Sequence, residues 1–540
     1  MQPGSDSNTF YNAADDFIDR NVREGRGAKT AVICEDRRFS YAQIQQGVNR
    51  FGNLLKQLEV RMEERVALLL LDTEVYPQTF FGAIKLGAVP VCLNTMMRPK
   101  DYQYFLNDSR ARVLVVDAAL KHNIDEIAAE LPFLKQIIVA NGEAAATELN
   151  LAAEMARQSS ELETAPTSPD DACFWLYSSG TTGQPKGTVH LQQDMIFASA
   201  TYGQQVLGVK ESDVCFSAAK LFFAYGLGNG LYFPFSVGAT AVYHPGRPTP
   251  EEIYAVIARH QPSLFFGVPT LYAQMLEQEG SLEGVRLGIS AGESLPATVF
   301  RRWHERFGVE IIDGIGSTEM VHIFISNRPG ECRPGSTGRM VPGYEARIVD
   351  ENLHDLPCGE VGTLLVKGDS AAAYYWNKHK KTQSTMLGEW LNTGDKFCCD
   401  EKGYFCYSGR SDDMLKIGGI WVSPIEVEAS IIEHSSVVEC AVVPDIDADK
   451  LVKPKAYVVL TQCSIPSEML KQQIQDHVKS NLAHYKYPRW IEFVDALPKT
   501  PTGKIKRFEL KSQQVADCEC GCSSETQAEL DAVEAPALTL

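Results

Sequence analysis

The sequence predicts an α/β protein with a large N-terminal domain of layered sheets and helices and a small α+β C-terminal domain. At 540 residues the chain is longer than one hydrophobic core usually supports. Residues 30–407 alternate short apolar runs with amphipathic stretches, which is typical of strands and helices layered around mainly parallel sheets. Residues 410–424 are polar and contain glycines, and this change in composition indicates a connector between two domains.

The elements of the first domain follow from the spacing of their apolar residues. Four apolar runs have the length of buried strands, and three amphipathic stretches have helical periodicity with Pro or Ser at their starts. The predicted strands are residues 65–71, 113–116, 136–140 and 263–266, and the predicted helices are residues 40–58, 250–259 and 296–307.

The second domain has its own set of elements after the connector. Residues 426–432 and 469–482 are predicted helices, and residues 437–443, 456–460 and 490–494 are predicted strands. We therefore divide the chain into residues 1–410, residues 411–510 and a tail of residues 511–540. The tail is acidic and rich in Ser, Ala and Glu, so we expect it to be disordered.

Charge and composition exclude some classes of partner. The formal net charge of −18 argues against nucleic acid or an acidic membrane as the main partner. We find no signal-peptide pattern and no apolar run as long as a membrane span. Most of the 14 cysteines stand singly in apolar segments, which favours a reducing cytoplasm; examples are Cys34, Cys92, Cys215 and Cys440. The tail cluster Cys518-Glu-Cys-Gly-Cys522 lacks further nearby ligands and is left unassigned.

The most informative motif combines hydroxyls, glycines and one lysine in Tyr177-Ser-Ser-Gly-Thr-Thr-Gly-Gln-Pro-Lys-Gly187. It follows an apolar run, so backbone N–H groups, hydroxyls and a cation meet at the end of a buried strand, as a polyphosphate site requires. The glycine spacing differs from that of a P-loop. An ordinary Gly/Ser surface loop is the alternative interpretation.

Five further segments concentrate polar residues and glycine, mostly after apolar runs, where α/β folds place their ligands. Any one of them could be an ordinary loop, but five in this order after the first motif are not expected by chance. They are Ser290-Ala-Gly-Glu-Ser294, Asp313-Gly-Ile-Gly-Ser-Thr-Glu319, Asn392-Thr-Gly-Asp395, Tyr407-Ser-Gly-Arg410 and Pro501-Thr-Gly-Lys-Ile-Lys506.

In this order the motifs resemble those of the adenylate-forming acyl-CoA synthetase superfamily, over about residues 30–510. Leu221-Phe-Phe-Ala-Tyr-Gly-Leu-Gly-Asn-Gly230 and Glu319-Met-Val-His-Ile-Phe324 resemble, more narrowly, the benzoate–CoA ligase branch. The resemblance implies ATP and CoA as co-substrates and Mg²⁺ as cofactor. A carboxylate would attack the α-phosphate of ATP to give an acyl adenylate and pyrophosphate, and the CoA thiolate would then displace AMP.

The resemblance implies a nucleotide site built from these motifs. Glu319 would hold Mg²⁺ through a carboxylate oxygen, and Thr318 would lie next to the α-phosphate. The loop donors would hold the β- and γ-phosphates, two turns would flank the adenine, and Asp395 would accept from the ribose hydroxyls. The implied nucleotide-binding residues are Ser178, Ser179, Gly180, Thr181, Thr182, Gly183, Lys186, Ala291, Gly292, Glu293, Asp313, Gly314, Ile315, Ser317, Asp395 and Arg410.

The resemblance implies three catalytic residues. Lys504 belongs to the second domain, and Thr318 and Glu319 belong to the first. Lys504 would bridge the substrate carboxylate and the α-phosphate; a solvated surface lysine is the alternative. Superfamily members rotate a mobile small domain between the two steps, with Asp412 at the hinge position. Acetylation of Lys504 would remove its charge, which suggests an acetyltransferase and a deacetylase as partners. The implied CoA-binding residues are Lys416, Gly418, Gly419 and Trp421.

The branch-level resemblance implies a flat pocket for a planar aromatic acid. Small residues would leave a slot with apolar walls, and His322 would hydrogen-bond a carboxylate or ring substituent, with a buried structural histidine as the alternative. At least one of Phe222 and Phe223 is expected to be plain core. Benzoate is the first choice, and substituted benzoates or cyclic or short aliphatic acids remain open. The implied pocket residues are Ala224, Tyr225, Gly316, His322 and Ile323.

Several alternatives remain from the sequence. The same adenylation chemistry could load a separate carrier protein or precede a luciferase-like oxidation. A kinase-like or P-loop NTPase is disfavoured by the glycine spacing. A catalytically inactive nucleotide sensor is disfavoured because every implied catalytic position is filled. The oligomeric state stays open, with a homodimer as one option.

Overall fold

The computed structural model describes residues 10–178, 184–410, 413–417, 420–447, 451–499, 505–507 and 509–511. The chain forms two compact units, Met1–Tyr407 and Ser408–Leu540, whereas the sequence predicts a boundary after Arg410. The first unit contains layered sheets and helices and the second is a small α+β unit, so the predicted fold class is confirmed.

The largest sheet of the first unit, sheet A, has nine strands. Its six consecutive inner strands, from Ile311–Gly316 to Thr30–Cys34, are parallel, and the flanking strands are antiparallel. Across the sheet the strands are Arg339–Met340, Ile323–Ser326, Ile311–Gly316, Leu287–Ser290, Leu264–Gly267, Val214–Ser217, Thr240–Tyr243, Thr30–Cys34 and Arg37–Ser40.

Sheet B, also in the first unit, has eight strands and carries the phosphate-loop motif at its antiparallel edge. Its other strands are parallel, as the sequence predicts for strands that alternate with helices. Across the sheet they are Tyr374–Tyr375, Lys186–Leu191, Ala172–Ser178, Val89–Cys92, Arg65–Leu69, Val113–Asp117, Gln136–Ala140 and Leu149–Asn150.

Sheet C follows in sequence and differs from the prediction of mainly parallel sheets. Glu345–Val349, Gly362–Lys367, Trp390–Cys399 and Met386–Leu387 pair antiparallel, and Phe405–Arg410 pairs with Trp390–Cys399. That prediction is therefore wrong for this segment. Short connections join Met386–Leu387 to Trp390–Cys399 and Trp390–Cys399 to Phe405–Arg410, and short connections produce antiparallel neighbours.

Two long helices of the first unit begin directly after capping residues that the sequence supplies. Ser40 Oγ accepts from the Gln43 N–H, and Thr249 Oγ1 accepts from the Glu252 N–H, so each cap stands just before its helix. The helices are Tyr41–Gln57, Val75–Lys85, Pro99–Ser109, His122–Asp125, Leu151–Ala156, Asp194–Ala198, Ala224–Leu227, Phe233–Val237, Pro250–His260, Pro269–Leu276, Ala297–Phe307 and His379–Thr385. Cys34, Cys92 and Cys215 are buried, as predicted.

The second unit packs two helices with a three-stranded sheet. Its helices are Pro424–Ile432 and Glu468–Asn481, and its sheet contains Val437–Ile446, Val452–Leu460 and Trp490–Phe493. The predicted connector contains a hairpin of Leu415–Ile417 and Ile420–Val422, which its composition does not indicate. In the part of the chain that the structure describes, no helix is both long and apolar enough to cross a membrane.

Candidate active site

The phosphate-loop motif lies at the tip of a hairpin in sheet B. Ala172–Ser178 and Lys186–Leu191 pair antiparallel, and Ser178 is directly opposite Lys186. The two ends of the predicted loop are thereby held side by side. Ser179, Gly180, Thr181, Thr182 and Gly183 lie outside the described residues, so their predicted roles stay predictions.

The carboxylate of Glu319 meets both this hairpin and a neighbouring strand. Glu319 lies in the 3₁₀ turn Thr318–Met320, and its Oε1 accepts from Ser178 Oγ at 3.2 Å and Tyr375 OH at 2.7 Å. Lys186 Nζ lies 4.6 Å from the centre of the Tyr375 ring. A cation, two hydroxyls and a carboxylate therefore surround the end of the hairpin, as a site for phosphates and their metal requires.

The donor set around Glu319 fits Mg²⁺. Both hydroxyls reach Oε1, and among the described residues nothing donates to Oε2. Mg²⁺ prefers carboxylate oxygen and keeps most of its coordination for water and phosphate, so one open carboxylate oxygen suits it. Glu319 is thus the residue of this cluster that would hold the ion.

Unpartnered polar atoms mark the carboxyl ends of two neighbouring strands of sheet A. Ser290 and Asp313 are parallel register partners, and Ser317 follows the second strand. Ser290 Oγ, Asp313 Oδ1 and Ser317 Oγ are buried without a hydrogen-bond partner in the described structure. Burial raises the pKa of Asp313 well above its usual value, although backbone N–H groups oppose the shift. Buried orphan polar atoms at this edge of an α/β sheet indicate a ligand site.

The turn after Ser290 has the local geometry that the sequence motif suggests. Ala291 is 3% exposed, and Gly292 has φ +93°, a conformation that favours glycine. Glu293 follows, and Gly314 and Ile315 continue the neighbouring strand. These residues lie beside the unpartnered Ser290 and Asp313 oxygens.

The Asn392-Thr-Gly-Asp395 motif lies within a strand of sheet C. The Gly394 N–H donates to Asn392 Oδ1 at 3.0 Å, and the Asp395 N–H donates to Thr393 Oγ1 at 3.1 Å. Asp395 is 8% exposed. Arg410 ends the strand Phe405–Arg410 and belongs to the second unit.

The predicted pocket residues Tyr225 and Ala224 start the helix Ala224–Leu227. Tyr225 OH donates to the Ile289 carbonyl at 2.9 Å and the Gly267 carbonyl at 3.2 Å, at the ends of two strands of sheet A. The aromatic ring is therefore fixed beside the carboxyl edge that carries Ser290. Phe222 is 5% exposed and packs in the core, as expected for one of the two phenylalanines.

His322 is enclosed by aromatic rings, including Phe233 at 4.5 Å and Tyr202 at 5.4 Å between ring centres. Its Nε2 donates to the Tyr225 carbonyl at 3.2 Å and to Asn229 Oδ1 at 3.1 Å. Burial lowers the pKa of His322 to about 3, so the ring is neutral near pH 7. The geometry favours the structural interpretation of this histidine.

Gly316 and Ile323 lie on adjacent antiparallel strands. A Cβ on Gly316 would lie 2.4 Å from the His322 carbonyl oxygen, so close strand approach requires glycine here. Ile323 is 1% exposed and faces Gly314, where a Cβ would lie 2.9 Å from its Cγ2 atom. Both residues shape the backbone next to Glu319.

Some predicted residues of the second unit are not described. Lys504, Asp412, Gly418 and Gly419 lie outside the described residues. The backbones of Lys416 and Trp421 pair across the hairpin, and their side chains are outside the description. The tail cysteines likewise lie outside it.

Sequence reasoning missed three residues beside the predicted site. Tyr375 contacts Glu319, and His190, which pairs with the buried Asp194, contacts the Thr318 carbonyl. Tyr375 carries no local signal because its contact spans 56 residues. The His190–Asp194 spacing of four residues, directly after the phosphate-loop motif, is a signal that could have found the pair.

The chain matches two family models. One, described as AMP-binding enzyme, matches residues 18–376. The chain belongs to the AMP-binding enzyme family. The other, described as AMP-binding enzyme C-terminal domain, matches residues 426–504. Each match of this AMP-binding enzyme lies within one compact unit.

Characterised relatives of this AMP-binding enzyme match nearly its whole length. It is 52% identical to the benzoate–CoA ligase of Thauera aromatica, covering 93% of this chain and 96% of that relative. An anthranilate–CoA ligase solved with anthranoyl-AMP has a TM-score of 0.90 and 45% identity, covering 94% and 98%. A solved benzoate–CoA ligase from Burkholderia xenovorans has a TM-score of 0.86 and 46% identity, covering 93% and 99%. The resemblance predicted from the motifs is confirmed.

Proposed function

We propose that this protein is an ATP-dependent, AMP-forming aromatic acid–CoA ligase that prefers benzoate. The carboxylate attacks the α-phosphate of ATP, giving the acyl adenylate and pyrophosphate. The CoA thiolate then attacks the acyl carbon and AMP leaves. The observation that carries the proposal is the convergence of Ser178 and Tyr375 on Glu319 at the tip of the phosphate-loop hairpin. The names of the relatives support benzoate as the acid.

The first half-reaction depends on stabilising negative charge on the departing pyrophosphate. Lys186 and the hydroxyls and N–H groups of the 178–183 loop supply donors for the β- and γ-phosphates. Thr318, next to Glu319 in the same turn, serves the α-phosphate. Glu319 would hold Mg²⁺, which would neutralise part of the triphosphate charge.

The adenosine moiety is assigned to the carboxyl edge of sheet A and the Asp395 motif. Ser290, Asp313 and Ser317 offer buried polar atoms there, and a neutral Asp313 carboxyl can both donate and accept a hydrogen bond. Residues 291–293, 314 and 315 flank the base. Asp395 accepts from the ribose hydroxyls, with Arg410 adding donors.

The acid is assigned to a slot beside Tyr225. Ala224 and Gly316 leave space because they are small, and Ile323 contributes apolar surface. We assign His322 to the wall behind the slot, because its Nε2 is occupied by Tyr225 and Asn229. An aromatic ring would stack or pack edge-on against the fixed Tyr225 ring.

The second half-reaction is assigned to the small unit. In the first half-reaction Lys504 stabilises the transition state of adenylation. It must then move out of the active site, because it would obstruct CoA in the second half-reaction. Rotation of the small unit at Asp412 replaces Lys504 with another face of that unit. This face carries Lys416, Gly418, Gly419 and Trp421, and its glycines permit close approach of the pantetheine. Acetylation of Lys504 switches the first step off. We further propose a homodimer in a reducing cytoplasm; the free buried cysteines support the compartment.

Carboxylate-dependent pyrophosphate release tests the function. The purified chain is mixed with MgATP and a panel of benzoates, phenylacetates and alkanoates, with and without CoA. We expect release with benzoate, and benzoyl-CoA plus AMP once CoA is added. Release with another acid would keep the mechanism and replace the substrate, and no release with any acid would reject the function.

A further inference from the structure

The turn that carries Thr318 and Glu319 is held through its backbone from several directions. Each of the four consecutive carbonyls of residues 318–321 accepts a hydrogen bond from a different residue elsewhere in the first unit. In order, the donors are His190 Nε2 at 2.8 Å, the Ala372 N–H at 2.7 Å, Ser370 Oγ at 2.9 Å and Tyr232 OH at 3.4 Å.

The same turn contains a strained residue. Val321 has φ +65° and ψ −42°, and the His322 N–H donates to the Met320 carbonyl at 2.7 Å, which together form a γ-turn. A β-branched residue rarely adopts positive φ, and such strain persists where surrounding contacts over-determine the backbone. The four carbonyl contacts are those constraints, and they fix the backbone on both sides of Glu319.

The contact from His190 is supported by a second buried side chain, that of Asp194. His190 and Asp194 have fully buried side chains, and Nδ1 lies 2.8 Å from Asp194 Oδ2. The Leu191 N–H donates to the same oxygen at 3.0 Å. A carbonyl only accepts, so Nε2 must carry a proton to bond Thr318. With Nε2 protonated, Asp194 either donates its carboxyl proton to Nδ1 of a neutral ring or, as a carboxylate, accepts from Nδ1–H of a doubly protonated ring. In both forms Asp194 supports the ring state in which Nε2 is the donor.

We propose that His190 and Asp194 form a positioning pair that holds the Thr318–Glu319 turn ready for adenylation. The proposal rests on the function assigned above, because it explains how Glu319 and Thr318 are kept in place for MgATP. Neither His190 nor Asp194 touches substrate in this proposal. Asp194 orients the ring, the ring holds the Thr318 carbonyl, and the turn presents the Glu319 carboxylate toward Ser178 and Tyr375.

Asp194→Asn tests the orienting role with little change in shape. An amide oxygen in place of Oδ2 accepts from the Leu191 N–H but draws the imidazole proton to Nδ1, which leaves a lone pair on Nε2 facing the Thr318 carbonyl. An amide nitrogen there opposes the Leu191 N–H instead. Either orientation loses one hydrogen bond that the carboxylate, or its protonated form, satisfies. We expect adenylation to fall about 10–100-fold, by analogy with partners that orient metal-ligating histidines.

Two His190 variants distinguish the effect of losing the hydrogen-bond donor from the effect of losing the aromatic ring. His190→Gln places an amide N–H near the position of Nε2, whereas His190→Phe keeps a ring that can stack on Phe174, now 4.9 Å away, without a donor. We expect the phenylalanine variant to match Asp194→Asn and the glutamine variant to recover a substantial part of the adenylation rate. Asp213→Asn is the control, because that buried carboxylate bonds Lys210, Ser263 and Arg286 instead of the turn.

The experiment measures benzoate-dependent ATP–pyrophosphate exchange, thioester formation from supplied benzoyl adenylate and CoA, ATP binding by calorimetry with and without Mg²⁺, and thermal unfolding. We expect Asp194→Asn and His190→Phe to lose exchange and the Mg²⁺-dependent gain in ATP affinity, while thioester formation stays within about twofold of wild type. Equal loss of both half-reactions, or a profile like that of Asp213→Asn, would overturn the proposal.

Two outcomes separate this proposal from the assigned function. If the wild-type protein shows no pyrophosphate exchange with any acid tested, the assigned function fails. The calorimetric comparison of ATP binding still tests the positioning pair in that case. If wild type is active and His190→Gln is no better than His190→Phe, the donor role fails while the ligase assignment stands. Should Asp194→Asn fail to fold, the two His190 variants alone decide the result.

Discussion

At the scale of single residues, the site depends on how the Glu319 carboxylate is oriented. Tyr375 OH and Ser178 Oγ both donate to Oε1 from separate strands of sheet B. Hydrogen bonds to a charged group contribute about 1.5–3 kcal/mol, so each hydroxyl strongly restricts the carboxylate. The free oxygen thereby keeps one direction, which lowers the reorganisation needed when MgATP binds.

Removing the tyrosine hydroxyl should weaken Mg²⁺ binding in the first step. We expect Tyr375→Phe to raise the Mg²⁺ concentration needed for half-maximal pyrophosphate release and to lower the rate about 10-fold, because Glu319 loses its shorter hydrogen bond. A Mg²⁺ titration of pyrophosphate release measures both. Tyr374→Phe is the matched control, since the neighbouring side chain is 40% exposed. Identical titrations for the two variants would contradict the assignment.

Lys504 gives a second residue-scale prediction. We expect Lys504→Ala to lose adenylation by about 10²–10³-fold, since one preorganised donor to the developing charge is removed. The same variant should still convert supplied acyl adenylate and CoA to thioester. Lys499→Ala, which breaks an ion pair with Glu439 in the same unit, is the control. A parallel loss of both half-reactions would show that Lys504 is not specific to the first step.

At the scale of elements, the backbone beside Glu319 is shaped by the close approach of two antiparallel strands. Ile311–Gly316 and Ile323–Ser326 pair with a register shift at Gly316, where any side chain would collide with the His322 carbonyl. The glycine is therefore required by strand packing, in addition to any space it leaves for substrate.

A methyl group at this glycine should separate the two strands. We expect Gly316→Ala to lower the free energy of unfolding by about 1–3 kcal/mol and to lower pyrophosphate release, because the Thr318 turn moves with the strand. Chemical denaturation with a parallel activity assay measures the two effects. Gly27→Ala is the control, since its new methyl would meet only ordinary contacts at 3.6 Å and 3.7 Å. An unchanged unfolding free energy for Gly316→Ala would refute the packing argument.

At the scale of the whole molecule, buried titratable groups couple stability to pH. The pKa of His322 falls from 6.5 to about 3 on burial, so between these values the unfolded chain binds more protons than the folded one. Stability therefore falls as pH drops below about 6.5, by up to about 1.4 kcal/mol per pH unit. Asp313 acts in the opposite direction, because its raised pKa lets the folded chain keep a proton that the unfolded chain releases above its usual value.

Replacing His322 should flatten the acid side of the stability profile. We expect His322→Gln to lose less unfolding free energy than wild type between about pH 6.5 and pH 4.5, because its side chain takes up no proton on unfolding. Urea denaturation across that interval measures the slope. His354→Gln is the control, since that side chain is 78% exposed. Equal slopes for wild type and His322→Gln would show that another group sets the acid limit.

Local pattern is sufficient for the elements that the sequence predicted. The predicted strand at residues 136–140 is present as Gln136–Ala140, and the predicted helix starting at Ser40 begins one residue later because Ser40 is its cap. Apolar period and capping chemistry act over a few residues, so they can be read in sequence. Sheet C departs from the prediction, because neighbour direction depends on how strands are connected and packed.

The sequence by itself determined the order of the elements, the two-unit organisation and the motifs that carry phosphate and metal chemistry, since each of these depends on residues close together in the chain. Tertiary structure alone decided that Tyr375 orients Glu319, that His190 holds the Thr318 carbonyl, and that His322 lies in an aromatic core. These contacts join residues 56–128 positions apart, or depend on complete burial. The first two contacts arise only when sheets A and B pack, and packing is set by the whole chain.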